Sequence, residues 1–203
     1  YSSRVKAGSI LADKYPVEAD LIVGVPESGL AAAVGYSQGS NIPYGMAFYK
    51  NSYVGRTFIK PKQNERTAGV QAKLNVIRDV VKGKRIVMVD DSIVRGTTIR
   101  NIVMMLKDAG ALEVHVRISS PPFKHPCYYG TDVPSSENLV AVNNTIEEIR
   151  ESINADSLGF LGIEDLGQLC PGLDYCDACF TGKYTGGIPS DPTKTSSCSS
   201  KVV

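Results

Sequence analysis

Two adjacent carboxylates, followed within eight residues by an arginine, a glycine and two threonines, are the most chemically specific pattern in this 203-residue chain. They lie in Arg85-Ile-Val-Met-Val-Asp-Asp-Ser-Ile-Val-Arg-Gly-Thr-Thr98. Asp90 and Asp91 can bind neighbouring ribose hydroxyls, or a hard cation that bridges to them. Ser92, Arg95, Gly96, Thr97 and Thr98 lead into a helix whose free N–H groups and positive dipole end receive a phosphate monoester. The tripeptide Asp-Asp-Ser by itself also reads as an ordinary loop with a helix cap. The whole string is more specific, and it predicts a site for a phosphorylated sugar.

That site needs elements to hold it. Arg85 to Val89 is an apolar run of strand length. Ile99, Ile102, Val103 and Leu106 fall at i, i+3, i+4 and i+7, and Gly110 supplies a stop. Upstream, residues 3–15 read as a helix stopped by Pro16, Asp20 to Val25 as a strand, and Ser28 to Ser40 as an alanine-rich helix. Gly45 to Tyr49 reads as a second strand, and residues 69–81 as helical. Downstream, Leu112 to Ser119 alternates as a half-buried strand does. Asn138 to Val142 and Leu158 to Leu161 read as strands separated by a helix over Ile146 to Asn154. Strands alternating with helices predict an α/β fold, a mainly parallel sheet with helices on both faces. Ligands then bind beyond the carboxyl ends of the strands.

Gly24-Val-Pro-Glu-Ser-Gly29 repeats the strand-to-helix turn logic. Its backbone N–H groups can hold a diphosphate, while Ser28 caps a helix or touches a metal. Taken alone this turn is ordinary; beside Asp90–Thr98 it supplies a second phosphate cradle, with Pro26, Glu27 and Ser28 as contacts. Residues 50–66 carry five basic side chains and one acid without a clean period. Such long connections tend to be lids or binding loops, although a solvated basic loop looks the same. A lid bearing Tyr53 and Arg56 can exclude water and stabilise leaving charge.

Composition bounds the partners. The net charge is +1, which gives no electrostatic case for nucleic acid or an anionic membrane. No apolar run approaches the ~20 residues of a membrane span. The first residue is Tyr1, which reads as a processed product or an excised piece. Three of the five cysteines cluster at Cys170, Cys176 and Cys179, spacing that suits a metal or cluster in a reducing cytoplasm better than a secreted disulfide scaffold. From Thr185 the composition turns to Gly, Pro, Ser, Thr and Lys, so residues 185–203 are expected to form a disordered tail. A domain over residues 1–169 and a cysteine-bearing segment over 170–184 precede it. His115 is expected on the outer face of its strand, and His125 to shape a turn.

Longer strings narrow the reading. Tyr53-Val-Gly-Arg-Thr-Phe-Ile59, Lys73-Leu-Asn75, Val89 to Thr98, Ser119-Ser-Pro-Pro122, His125-Pro-Cys127 and Cys179 to Tyr184 together resemble the amidophosphoribosyltransferase family, whose transfer half has the type I phosphoribosyltransferase fold. The resemblance implies transfer of ammonia to 5-phosphoribosyl pyrophosphate (PRPP) with Mg²⁺, the first committed step of purine synthesis. It implies Mg²⁺ near Ser28, Asp90 and Asp91, phosphate binding by Arg95 to Thr98, and catalytic lid or diphosphate contacts from Lys50, Tyr53, Arg56 and Lys73. It further implies a [4Fe–4S] cluster on Cys127, Cys176 and Cys179 with its fourth ligand upstream. Recruiting Cys170 instead would leave an all-thiolate zinc site as the alternative. A glutaminase domain, purine-nucleotide feedback inhibitors and a homo-oligomer are the implied partners. Two rival readings are a catalytically silent PRPP-binding regulator and a metal-stapled scaffold.

Overall fold

The computed structural model describes residues 1–50, 74–131, 133 and 135–188. Four parallel strands form the central sheet in the order β1-β4-β5-β6: β1 (Leu21–Gly24), β4 (Arg85–Asp90), β5 (Glu113–Ile118) and β6 (Ser157–Phe160). The side chains of β4 divide between two faces, as a strand's period of two requires. Ile86 and Met88 pack with Ile99, Ile102, Val103 and Leu106 of helix α4 (Thr97–Asp108). Val87 and Val89 pack with Leu11 of α1 (Ser2–Lys14) and with Ala32, Ala33 and Tyr36 of α2 (Leu30–Ser40). Burial on both sides is why β1 and β4 read as unbroken apolar runs. On the α4 side, α6 (Ile146–Ser152) adds Ile149 and is opened by Thr145 and Glu148 in a capping box. Among the described residues no helix is long and apolar enough to cross a membrane.

Helices α1 and α2 meet backbone to backbone. A Cβ added at Gly8 would lie 1.8 Å from the Ala32 carbonyl oxygen, and one at Gly35 would lie 1.8 Å from that of Val5. Only hydrogen fits at these two positions, so the crossing holds the two helices in a fixed relation.

The structure corrects several expectations. The strand expected over Gly45 to Tyr49 is β2 (Phe48–Lys50), outside the central sheet, in an antiparallel ribbon with β3 (Leu74–Val76). That pairing also overturns the helix expected over the described part of 69–81. Only α3 (Arg78–Val81), a single turn, is helical there, because Leu74 and Val76 are held in register with Lys50 and Phe48. Asn138 to Val142 is not a strand. Ser136–Asn138 is a 3-10 turn and α5 (Val140–Asn143) follows. The edge beside β5 is taken by β6, and Leu139 instead packs against Phe123 and Val133.

His115 is 8% exposed rather than outward-facing. It shares a face of β5 with Arg117, and the end of α1 covers that face: Arg117 Nε and Nη2 donate to the Tyr15 carbonyl at 3.3 and 3.2 Å. Ser157 Oγ lies 3.0 Å from His115 Nδ1, and a Glu113 carboxylate oxygen 2.9 Å from Nε2. Burial, aided by the charge of Arg117, lowers the His115 pKa from the usual 6.5 against the opposing pull of Glu113 and Asp156. A histidine held neutral in the fold stabilises it above its unfolded pKa, and that contribution is lost as pH falls below about 6.5. We expect urea denaturation to show a larger stability loss between about pH 7.5 and about pH 5.5 in the native chain than in His115→Gln, by up to about 1 kcal/mol. Equal losses would assign the acid sensitivity to other groups.

Candidate active site

The parallel register sets which loops meet. Gly24 pairs with Val89, and Asp90 with Ile118, so the segments leaving β1, β4 and β5 emerge at one edge. Val25 N donates to the Val89 carbonyl at 2.9 Å. Pro26, Glu27 and Ser28 then turn the chain, with Gly29 N closing on the Val25 carbonyl at 2.9 Å before α2 begins. The Pro26–Glu27 peptide is cis. Pro26 and Ser28 are half-buried and Glu27 is exposed. Lys50, at the end of β2, reaches Glu27 with Nζ 3.0 Å from Oε1.

At the end of β4, Asp90 is 8% exposed while Asp91 faces solvent. The Asp90 carbonyl accepts from Ser119 N at 2.9 Å and Ser119 Oγ at 3.3 Å, which ties it to the end of β5. Its carboxylate Oδ1 accepts from Asp91 N at 2.8 Å. Burial first, and the neighbouring Asp91 charge second, push the Asp90 pKa well above the usual carboxylate range. Two oxygen donors of this kind, one desolvated and one open, favour a hard cation or hydroxyl donors between them.

The turn that follows is anchored from below. Ile93 is buried, Val94 packs against the Phe123–Phe180 cluster, and the Val94 carbonyl accepts from Val140 N at 2.9 Å. Ser92 is half-buried, and Arg95, Thr97 and Thr98 stay exposed above this floor. Gly96, half-buried, enters α4 at φ +80°, a left-handed conformation that a side chain disfavours. Among the described residues no side chain caps α4, which leaves its first-turn N–H groups without a side-chain partner beside the exposed threonines.

The cysteines are less well assembled. Cys127 and Cys179 pack in the Phe123 cluster, while Cys176 is exposed nearby and its charge bears on Cys179. Among the described residues, no three of His, Cys, Asp and Glu are placed to hold a metal ion. Cys170 does not complete the set: its Sγ lies 3.9 Å from Ser3 Oγ on α1. His125 does sit in a turn as expected, its N–H donating to the Cys179 carbonyl at 3.0 Å. Tyr53, Arg56 and Lys73 lie outside the described residues. Sequence reasoning missed Arg4, whose Nη1 donates to the Ser28 carbonyl at 3.1 Å. Nothing in a helix-forming stretch marks that reach.

One sheet edge thus carries two strand-to-helix turns and an acidic pair. Residues 4–127 match the phosphoribosyl transferase domain family, and this chain belongs to it. Among curated relatives, the amidophosphoribosyltransferase of Synechocystis sp. is 53% identical over 192 residues, covering 93% of this chain and 39% of the relative. That of Bacillus subtilis is 52% identical over 198 residues, covering 94% and 41%. A solved structure of the B. subtilis glutamine PRPP amidotransferase complexed with ADP and GMP superposes with a TM-score of 0.82 at 52% identity, over 94% of this chain and 43% of that one. The fold is therefore the type I phosphoribosyltransferase fold. The chain spans about two-fifths of the length of the curated relatives it matches.

Proposed function

We propose that this chain is the transfer half of an amidophosphoribosyltransferase. In this reading it moves ammonia onto C1 of PRPP, giving 5-phosphoribosylamine and diphosphate, at the start of purine synthesis. The observation that carries the proposal is the convergence of the Pro26–Gly29 turn, the Asp90–Asp91 pair and the open amino end of α4 at one sheet edge.

Each part then has a task. Arg95, Gly96, Thr97, Thr98 and the α4 amino end take the 5-phosphate. Asp90 and Asp91 hold the ribose hydroxyls, with Ser92 beside them, and fix the anomeric carbon in place. The Pro26–Gly29 turn and Lys50 take the diphosphate; Lys50, released from Glu27, offsets the charge that grows as the C1–O bond breaks. Attack passes through an oxocarbenium-like state, so orientation and exclusion of water suffice and no covalent nucleophile is needed. Tyr53, Arg56 and Lys73 supply the closing lid.

The buried–open carboxylate pair suits Mg²⁺, with Ser28 as a further oxygen donor. When bound, Mg²⁺ supplies charge neutralisation to the diphosphate. A [4Fe–4S] cluster would take Cys127, Cys176 and Cys179 with a fourth ligand from outside this chain; the described residues do not hold these three as a metal-binding group, and no step depends on one. Residues 1–169 form the catalytic body. Residues 170–184 are packed on it by Lys124 N and His125 N donating to the Cys179 carbonyl and by Tyr184 donating to the Pro126 carbonyl; of the tail expected over 185–203, residues 189–203 lie outside the described residues. A glutaminase domain supplies ammonia in the parent protein, and purine nucleotides restrain it; the ADP and GMP of the B. subtilis complex support the latter. The free thiols suit a reducing cytoplasm.

Diphosphate release from PRPP in the presence of Mg²⁺ and ammonium tests the assignment. Release that scales with ammonium is the expected result. PRPP binding without release would move the chain to the regulatory class, and no PRPP binding would leave only a scaffold.

A further inference from the structure

Arg4 sits in the first turn of α1, twenty-four residues from the turn it touches. Its place is set by backbone packing, since the Gly8 and Gly35 contacts fix where α1 lies along α2. That crossing puts the guanidinium over the start of α2, where Nη1 donates to the Ser28 carbonyl at 3.1 Å. A guanidinium has five N–H donors in a rigid fork, and this bond uses one of them. Among the described residues no carboxylate pairs with Arg4. Lys50 approaches the same turn from another element but is already bridged to Glu27. Two cations therefore contact the turn, and among the described residues one of them, Arg4, has no anionic partner.

We propose that Arg4 is a diphosphate-binding residue: it fixes the Ser28 turn through the carbonyl and presents its remaining donors to the leaving diphosphate. This rests on the reading of the Pro26–Gly29 turn as the diphosphate site. Arginine suits both tasks at once, because its fork can hold a carbonyl on one edge and a phosphate oxygen on another. A lysine ammonium would keep the charge but not the planar fork.

The test uses the full chain with Arg4→Ala and Arg4→Lys. Calorimetry reads the affinity for inorganic diphosphate with Mg²⁺, and kinetics read the KM for PRPP and for ammonium separately. In Arg4→Ala, diphosphate affinity should fall about tenfold and the PRPP KM rise by a similar factor. The ammonium KM and the thermal midpoint should not move. Arg4→Lys should recover part of the loss but not all. Unchanged diphosphate affinity in Arg4→Ala overturns the proposal, as does a loss explained by a lowered thermal midpoint. A native chain that binds diphosphate, loses it in Arg4→Ala, yet never turns over PRPP would refute the catalytic reading and leave this one standing.

Discussion

Asp90→Asn should leave the fold intact and cut ammonia-dependent turnover by at least about tenfold, some 1.4 kcal/mol in barrier. The substitution is nearly isosteric. Asparagine keeps an Oδ1 to accept from Asp91 N, and the Ser119 bonds go to the Asp90 backbone carbonyl, which does not change. What disappears is a charge the fold holds at a cost, since burial and Asp91 both disfavour the ionised form. A buried carboxylate that has no ion pair among the described residues is tolerated where a ligand needs it. Stability should therefore hold or rise slightly while turnover falls. Steady-state rates with PRPP and ammonium, beside a thermal melt, check both halves. Native turnover in this variant would remove the acidic pair from the mechanism.

Gly35→Ala, like Gly8→Ala, should be among the most damaging small substitutions away from the site. An alanine in a helix gains about 1 kcal/mol over glycine in propensity. Against that, the new Cβ would sit 1.8 Å from the Val5 carbonyl oxygen and 2.7 Å from its carbon. Neither neighbour is a flexible side chain, so the two helices must separate, at a cost of about 3 kcal/mol or more. The clash wins by about 2 kcal/mol, which in a domain of this size lowers the thermal midpoint by roughly 4–8 °C. Differential scanning calorimetry reads it directly, and an unchanged midpoint would mean the crossing is looser than described.

The strand-loop-helix units at the site were legible because each carries its own local signal. The apolar run of β4, the acidic doublet and the spaced Ile99, Ile102, Val103 and Leu106 need no distant partner to be recognised. The same holds for β1 and the turn into α2. Expectations failed where pairing decides the outcome. Leu74 to Val76 is a strand only because β2 lies beside it, and Leu139 is drawn under the Val94 turn rather than onto a sheet edge. His115 alternates as a surface residue would, and nothing local reveals that α1 ends over it. Arg4 was hidden for the same reason: its role depends on a helix crossing twenty-odd residues downstream.

The floor beneath the Val94 turn has a further consequence for assembly. Its apolar members, Phe123, Val133, Leu139, Cys127, Cys179 and Phe180, all follow the turn in the chain, and Phe180 stacks edge-on to Phe123 at 5.0 Å. On a ribosome the acidic doublet and α4 emerge first, but the last of their support, Cys179 and Phe180, arrives roughly eighty residues later. Long-range contacts of this kind are formed late, after the chain closure they require. The turn after the acidic doublet is thus completed only once Phe180 has emerged, so a nascent chain halted before that residue carries the doublet without its full apolar floor.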